Sequence, residues 1–60
     1  MSKHYVLKLD ENGIQCLYDE SGNKLVCGDI YDILGYVRSH GGGTIYVDYP
    51  TVTGFWVVRG

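Results

Sequence analysis

Residues 28–43, GDIYDILGYVRSHGGG, constrain this chain more than any other stretch, because they carry its one convincing helical period. Ile30, Ile33, Leu34 and Val37 recur at i, i+3, i+4 and i+7, which places four apolar side chains on one stripe. Asp29 stands where an N-cap belongs, and its carboxylate can accept from the open N–H groups of the first turn. Asp32 suits the positive end of the helix dipole, and Arg38 and His40 suit the negative end. Gly41 is placed to end the helix in a left-handed conformation. The pattern predicts a helix over about 29–40, with Asp32, Gly35 and Ser39 on its outer face. One helix cannot bury such a stripe alone, so a sheet must cover it.

The rest of the chain reads as strand. His4–Leu9 alternates, with Tyr5, Leu7 and Leu9 on one side and His4, Val6 and Lys8 on the other. Asp10-Glu11-Asn12-Gly13 and Asp19-Glu20-Ser21-Gly22 repeat one turn chemistry, with glycine able to take a positive φ. Between and after them lie strands over 14–18 and Lys24–Cys27. The glycines at 41–43 read as a flexible link. Strands over 44–49 and 55–59 follow, joined by a loop over 50–54. The expected fold is α+β: a single domain, residues 1–60, with a small antiparallel sheet, order β-β-β-α-β-β, and one helix packed on one face.

Register follows if both early turns carry a glycine bulge, so that Asp10 faces Ile14 and Asp19 faces Asn23. Odd-numbered residues of the first three strands then share the helix side, including Leu7, Leu17, Leu25 and Cys27. If Tyr49 faces Phe55 in the last hairpin, Ile45, Val47, Phe55 and Val57 join them. The other side, which a soluble monomer should keep polar, would carry Val6, Cys16, Tyr18, Val26, Tyr46, Trp56 and Val58. A contiguous aromatic patch of that kind marks an interface or a ligand site, and Tyr and Trp dominate binding energy at interfaces. The bland alternative is a strongly twisted sheet that folds over itself like a small barrel and makes both sides internal.

Size and composition narrow the function classes. Sixty residues bury only about 60% of the unfolded surface, and chains this small often gain stability from cross-links, metals or self-association. The chain is 45% hydrophobic and 20% charged, with six Tyr, one Trp and one Phe. It is therefore no disordered tail. A net charge of −2 is too weak to steer nucleic acid or to mimic it. The stretch MSKHYVLKLD lacks the apolar core of a signal peptide, and no run reaches the ~18 apolar residues of a membrane span. Two cysteines in that setting read as reduced thiols, and the protein as cytoplasmic.

Specific chemistries weigh less. Zinc needs convergent ligands, whereas this register sends Cys16 and Cys27 to opposite faces, with His4 and His40 far apart in sequence; small core thiols are the simpler reading. A Cys16–Cys27 disulfide would require a different register. Cys27 precedes the helix N-terminus, which favours a thiolate, but Asp29 and Asp32 oppose one. The glycine run leaves a helix C-terminus, where the dipole opposes a phosphate, although its N–H groups with Arg38 or His40 offer a weaker anion site. Asp10-Glu11 and Asp19-Glu20 are solvated turn acids. Asp48 falls on the second side in this register, where it would pair with Lys8 or Arg59 or serve a ligand; the simpler reading is an edge-strand solubility charge. No acid, base and nucleophile come together.

The sequence thus points to a non-catalytic small binding module, without cofactor or metal, that self-associates and docks to a protein partner. Size alone suggests an inhibitor or adaptor of the sort phages or mobile elements encode. The interface candidates are Val6, Tyr18, Val26, Tyr46, Trp56 and Val58. The alternative is an oligomeric binder of a small nucleotide-like ligand, held by Tyr and Trp stacking and by Arg38 or Arg59.

Overall fold

Asp29 opens the helix as its spacing requires: its Oδ1 accepts from the Asp32 backbone N–H at 3.0 Å, and α1 runs Ile30–Ser39. At the far end the Gly41 N–H donates to the Arg38 carbonyl at 3.1 Å, with Gly41 at φ +93°. Lys3 Nζ donates to the His40 carbonyl at 3.1 Å, placing a cation at the negative end of the dipole. This computed structural model describes residues 3–60, among which there are five strands and the one helix. The strands are β1 His4–Leu9, β2 Gln15–Tyr18, β3 Lys24–Cys27, β4 Gly42–Asp48 and β5 Thr53–Arg59.

The strands form a single sheet in the order β3-β2-β1-β4-β5. β4 pairs with β1 in parallel, and the other neighbours are antiparallel. The fold is α+β as expected, but the sheet is mixed rather than purely antiparallel. The reason is directional. β1 and β3 run the same way, the helix carries the chain back along the sheet, and β4 must start from the end where β1 starts. Beside β1, it can only be parallel.

The glycine run makes this junction possible. Residues 42 and 43 are part of β4, which corrects the reading of 41–43 as a flexible link. Gly42 is buried at φ +79°, and a β-carbon there would lie 2.5 Å from the Val58 carbonyl oxygen. A β-carbon at Gly43 would lie 2.6 Å from the Lys3 carbonyl oxygen. Only glycine lets β4 enter between its two neighbours at this point.

The core sits between α1 and one side of the sheet. Leu7, Leu17, Ile33, Val37 and Ile45 have no exposed surface, and Tyr5 and Val47 complete the cluster. Each such aliphatic side chain contributes roughly 1.5–3 kcal/mol on burial. Leu25, Val26, Ile30, Leu34, Tyr36, Tyr49 and Val58 pack around it. Gln15 ties the base of this layer. Its Nε2 donates to the Gly28 carbonyl at 3.3 Å, and its Oε1 accepts from the Tyr49 hydroxyl. Burial raises the Tyr49 phenol above its ordinary range.

Both early hairpins have the expected geometry. Asp10 N–H donates to the Ile14 carbonyl at 2.9 Å, and Asp19 N–H to the Asn23 carbonyl at 3.0 Å. Each aspartate then folds its carboxylate over the turn: Asp10 Oδ1 accepts from Asn12 and Ile14, and Asp19 Oδ1 from Ser21 and Asn23. These backbone donors hold both carboxyls below their ordinary pKa, with Ile14 and Asn23 the largest causes.

Two registers depart from expectation. In β2–β3 the pairing shifts by one between Leu17 and Tyr18, so that Tyr18 faces Lys24 but Leu17 faces Val26 and Cys16 faces Cys27. This bulge places Leu25 and Val26 both against the core and removes Val26 from the open side. In β4–β5 the turn is tighter than expected. The Tyr49 N–H donates to the Val52 carbonyl at 3.1 Å, leaving only Pro50 and Thr51 at the tip. Tyr46, not Tyr49, faces Phe55. The three-residue difference reverses every side chain of β5.

Candidate functional site

The helix covers one side of the sheet. The other, open side takes His4, Val6 and Lys8 from β1, Cys16 and Tyr18 from β2, and Thr44, Tyr46 and Asp48 from β4. From β5 it takes Phe55 and Val57, because Phe55 faces Tyr46 and Val57 faces Thr44. Trp56 faces Ile45 and so lies on the helix side, as does Val58. The placement of Val6, Tyr18 and Tyr46 on the open side stands; that of Val26, Trp56 and Val58 is corrected. Phe55 and Val57 take their place there. The signal that would have found them is Pro50, whose fixed φ suits the first corner of a two-residue turn.

The open side is organised by its rings. His4 and Tyr46 lie nearly parallel, at 9° and 5.8 Å between centroids, and Tyr46 meets Phe55 at 6.2 Å and 45°. Across the sheet, Lys8 Nζ sits 4.6 Å from the centroid of Tyr18. Val6 lies between these groups, facing Tyr18 on one neighbour and Tyr46 on the other. The result is one aromatic strip running from β2 to β5.

The strip is least covered at β5. Phe55 is 64% exposed, Val57 70%, Tyr46 43% and, on the helix side, Trp56 47%. Apolar side chains therefore stand out from both faces of the same edge strand. A soluble chain normally blunts an edge with charge, proline or a bulge. β5 is seven residues long, its pairing with β4 is unbroken, and its only charge is Arg59 at the end.

The cysteines are not free. Cys16 and Cys27 form a disulfide, with Cα atoms 4.1 Å apart. The bulge that moved Val26 is what brings them opposite each other. This corrects the expectation of reduced thiols on opposite faces, and the thiol argument for a reducing compartment goes with it. Neither sulfur serves as nucleophile or metal ligand while the bridge stands. Among the described residues, no three His, Cys, Asp or Glu side chains converge. No helix there is long and apolar enough to cross a membrane.

The residues proposed for a nucleotide-like ligand are parted. Tyr18, Tyr46 and Arg59 belong to the open side, whereas Trp56 and the helical Arg38 belong to the other. His40 is held by its own helix, with Nδ1 2.8 Å from the Tyr36 carbonyl and its ring stacked on Tyr36 at 4.1 Å. Asp48 reaches the open side as expected. Among the described residues the ion pair is Lys24 Nζ with Asp10 Oδ2, at 3.9 Å, and neither Asp48 nor Arg59 takes part in one.

No family model matches the chain, and no curated protein or solved structure matches it either.

Proposed function

We propose that this protein is a non-catalytic binding module that self-associates and docks to a protein partner, as an inhibitor or adaptor does. The observation that carries this reading is the aromatic strip ending on an uncovered edge strand. Phe55, Trp56 and Val57 are consecutive, each about half exposed or more, and Tyr46 adjoins them. A small domain gains little by leaving four large apolar groups in water unless something covers them. Tyr, Trp and Phe are also the side chains that concentrate binding energy in a few contacts. The cytoplasm is the proposed location.

The test is sedimentation equilibrium of the chain, followed by capture from its native source with and without substitutions on the strip. Self-association should appear as a mass above 6.7 kDa. A partner should bind the parent chain and lose at least ~30-fold in affinity to Tyr46→Ala or Phe55→Ala, the loss of a ~2 kcal/mol hot spot. Both variants should keep the parent circular dichroism, because neither side chain belongs to the core. A chain that stays monomeric at high concentration, and whose captured proteins ignore both substitutions, would overturn the reading.

A further inference from the structure

We infer that the second copy docks along β5, by antiparallel pairing of β5 with β5 about a two-fold axis at Trp56, to give one continuous ten-stranded sheet. The inference rests on the self-association proposed above and specifies its geometry.

The backbone comes first. Antiparallel pairs alternate between bonded and non-bonded positions. Tyr49 and Val52 are a bonded pair, so Gly54, Trp56 and Val58 of β5 bond to β4 as well. The Thr44 N–H donates to Lys3, away from β5, which agrees with Thr44 and Val57 being a non-bonded pair. Thr53, Phe55, Val57 and Arg59 therefore direct their N–H and carbonyl groups outward from the sheet. These four residues alternate along an unbulged strand, which is what another antiparallel strand needs.

Self-pairing then selects its own register. Pairing Thr53 with Arg59 of the second copy, and Phe55 with Val57, uses all seven residues. Shifting the axis to residue 55 or 57 shortens the overlap at both ends. In the full register Trp56 meets Trp56 of the second copy at a non-bonded position, where cross-strand side chains approach most closely. The two helices lie on the same side of the joined sheet, with the tryptophan pair between them. On the open side each Phe55 covers a Val57. Both exposed faces of β5 are thus occupied by one operation.

Charge agrees with this register. Asp48 faces Thr53, and Thr53 would face Arg59 of the second copy. Asp48 and that arginine share the open side, two strand spacings of ~4.8 Å apart, within reach of an aspartate and an extended arginine. The symmetry makes the contact twice. Within one chain neither group forms an ion pair among the described residues.

The experiment is sedimentation equilibrium on the full chain and three variants. Val57→Pro deletes an outward N–H and leaves β4 bonding intact, so it should give a monomer with the parent circular dichroism. Arg59→Glu should raise the dimer dissociation constant on the order of fivefold by turning an attraction into a repulsion. Adding Asp48→Arg to Arg59→Glu should restore it. A parent chain that is monomeric at every concentration overturns both this inference and the self-association on which it rests. A parent dimer that Val57→Pro and Arg59→Glu leave unchanged overturns the edge pairing alone. If Val57→Pro does not fold, the charge reversal and its rescue decide: rescue upholds the register, and indifference to both charges overturns it.

Discussion

β3 and β5 are both edge strands of one sheet, yet they are finished in opposite ways. β3 has four residues, is interrupted by a bulge, is bridged to β2 by Cys16–Cys27 and carries Lys24 beside Asp10. Its apolar residues, Leu25 and Val26, both turn to the core. β5 has seven residues in unbroken register and presents apolar side chains on both faces. Short, bulged and charged edges discourage pairing, and long regular apolar ones invite it. The difference separates a protected border, β3, from an unprotected one, β5. Substitutions can test whether the two edges are as separate as they look.

The largest effect should come from Gly42→Ala. Left-handed backbone alone costs an alanine roughly 1–2 kcal/mol, and the new β-carbon would also lie 2.5 Å from the backbone at Val58 and Gly60. β4 and β5 would have to part, so a loss of more than ~3 kcal/mol in urea denaturation is expected. Hydrogen exchange should show the Gly54, Trp56 and Val58 amides losing protection before those of β3. Equal loosening at both edges would mean that the sheet responds as one unit and that the contrast is superficial.

Reducing the disulfide should act on the opposite edge. The bridge spans a sequence separation of 11, and closing a loop of that size is worth about 2–3 kcal/mol. Dithiothreitol should lower the melting midpoint, speed exchange in β3 and leave the β5 amides nearly unchanged at a given global stability. If reduction also altered self-association, the two edges would be coupled through the sheet.

What was legible in the sequence divides along the same line. The helix and its caps were legible because Asp29, Val37 and Gly41 act within a turn or two of chain. The Asp-Glu-x-Gly turns were legible because Asp10 and Asp19 close their loops with their own carboxylates. The parallel pairing of β1 and β4 was available from counting chain reversals. The bulge beside Leu25 was not, because packing two successive side chains on the core is a tertiary choice that no local pattern records. The β5 faces turned on whether the loop held two residues or five, and Val52 and Thr53 read equally well as loop or strand. Of the candidate site, Tyr18, Val6 and Tyr46 came from the well-determined centre of the sheet; the errors all fell at its edges.

Acid should weaken the β3 side by a smaller amount. Asp10 and Asp19 close the turns flanking β2, and both have folded pKa values below the ordinary one. Their contribution is therefore fully present above the unfolded value of about 3.9 and is lost as the pH falls through the lowered folded values. Thermal midpoints should drop across that window. Asp10→Asn and Asp19→Asn together should flatten the profile, because an amide oxygen still accepts from the turn but does not titrate. An unchanged slope in the double variant would place the acid sensitivity outside these two turns.

The smallest effect separates the β5 edge from the remaining surface on which a second copy could sit. Gly35 lies on the outer face of α1 beside Ser39, and small residues there would let a neighbouring helix approach closely. A β-carbon at Gly35 meets no atom within 4 Å in the single chain. Its backbone is helical, so Gly35→Ala removes a conformational penalty at no steric cost. The substitution should raise stability by up to ~1 kcal/mol. If copies meet along β5, this gain appears in denaturation while the dimer dissociation constant stays the same, since the outer face of α1 is remote from the strand contact. If copies meet helix to helix, the added methyl enters the interface, and dissociation strengthens even as the isolated fold becomes more stable. On this one variant, stability therefore rises alone in the first case, and in the second it rises while affinity between copies falls.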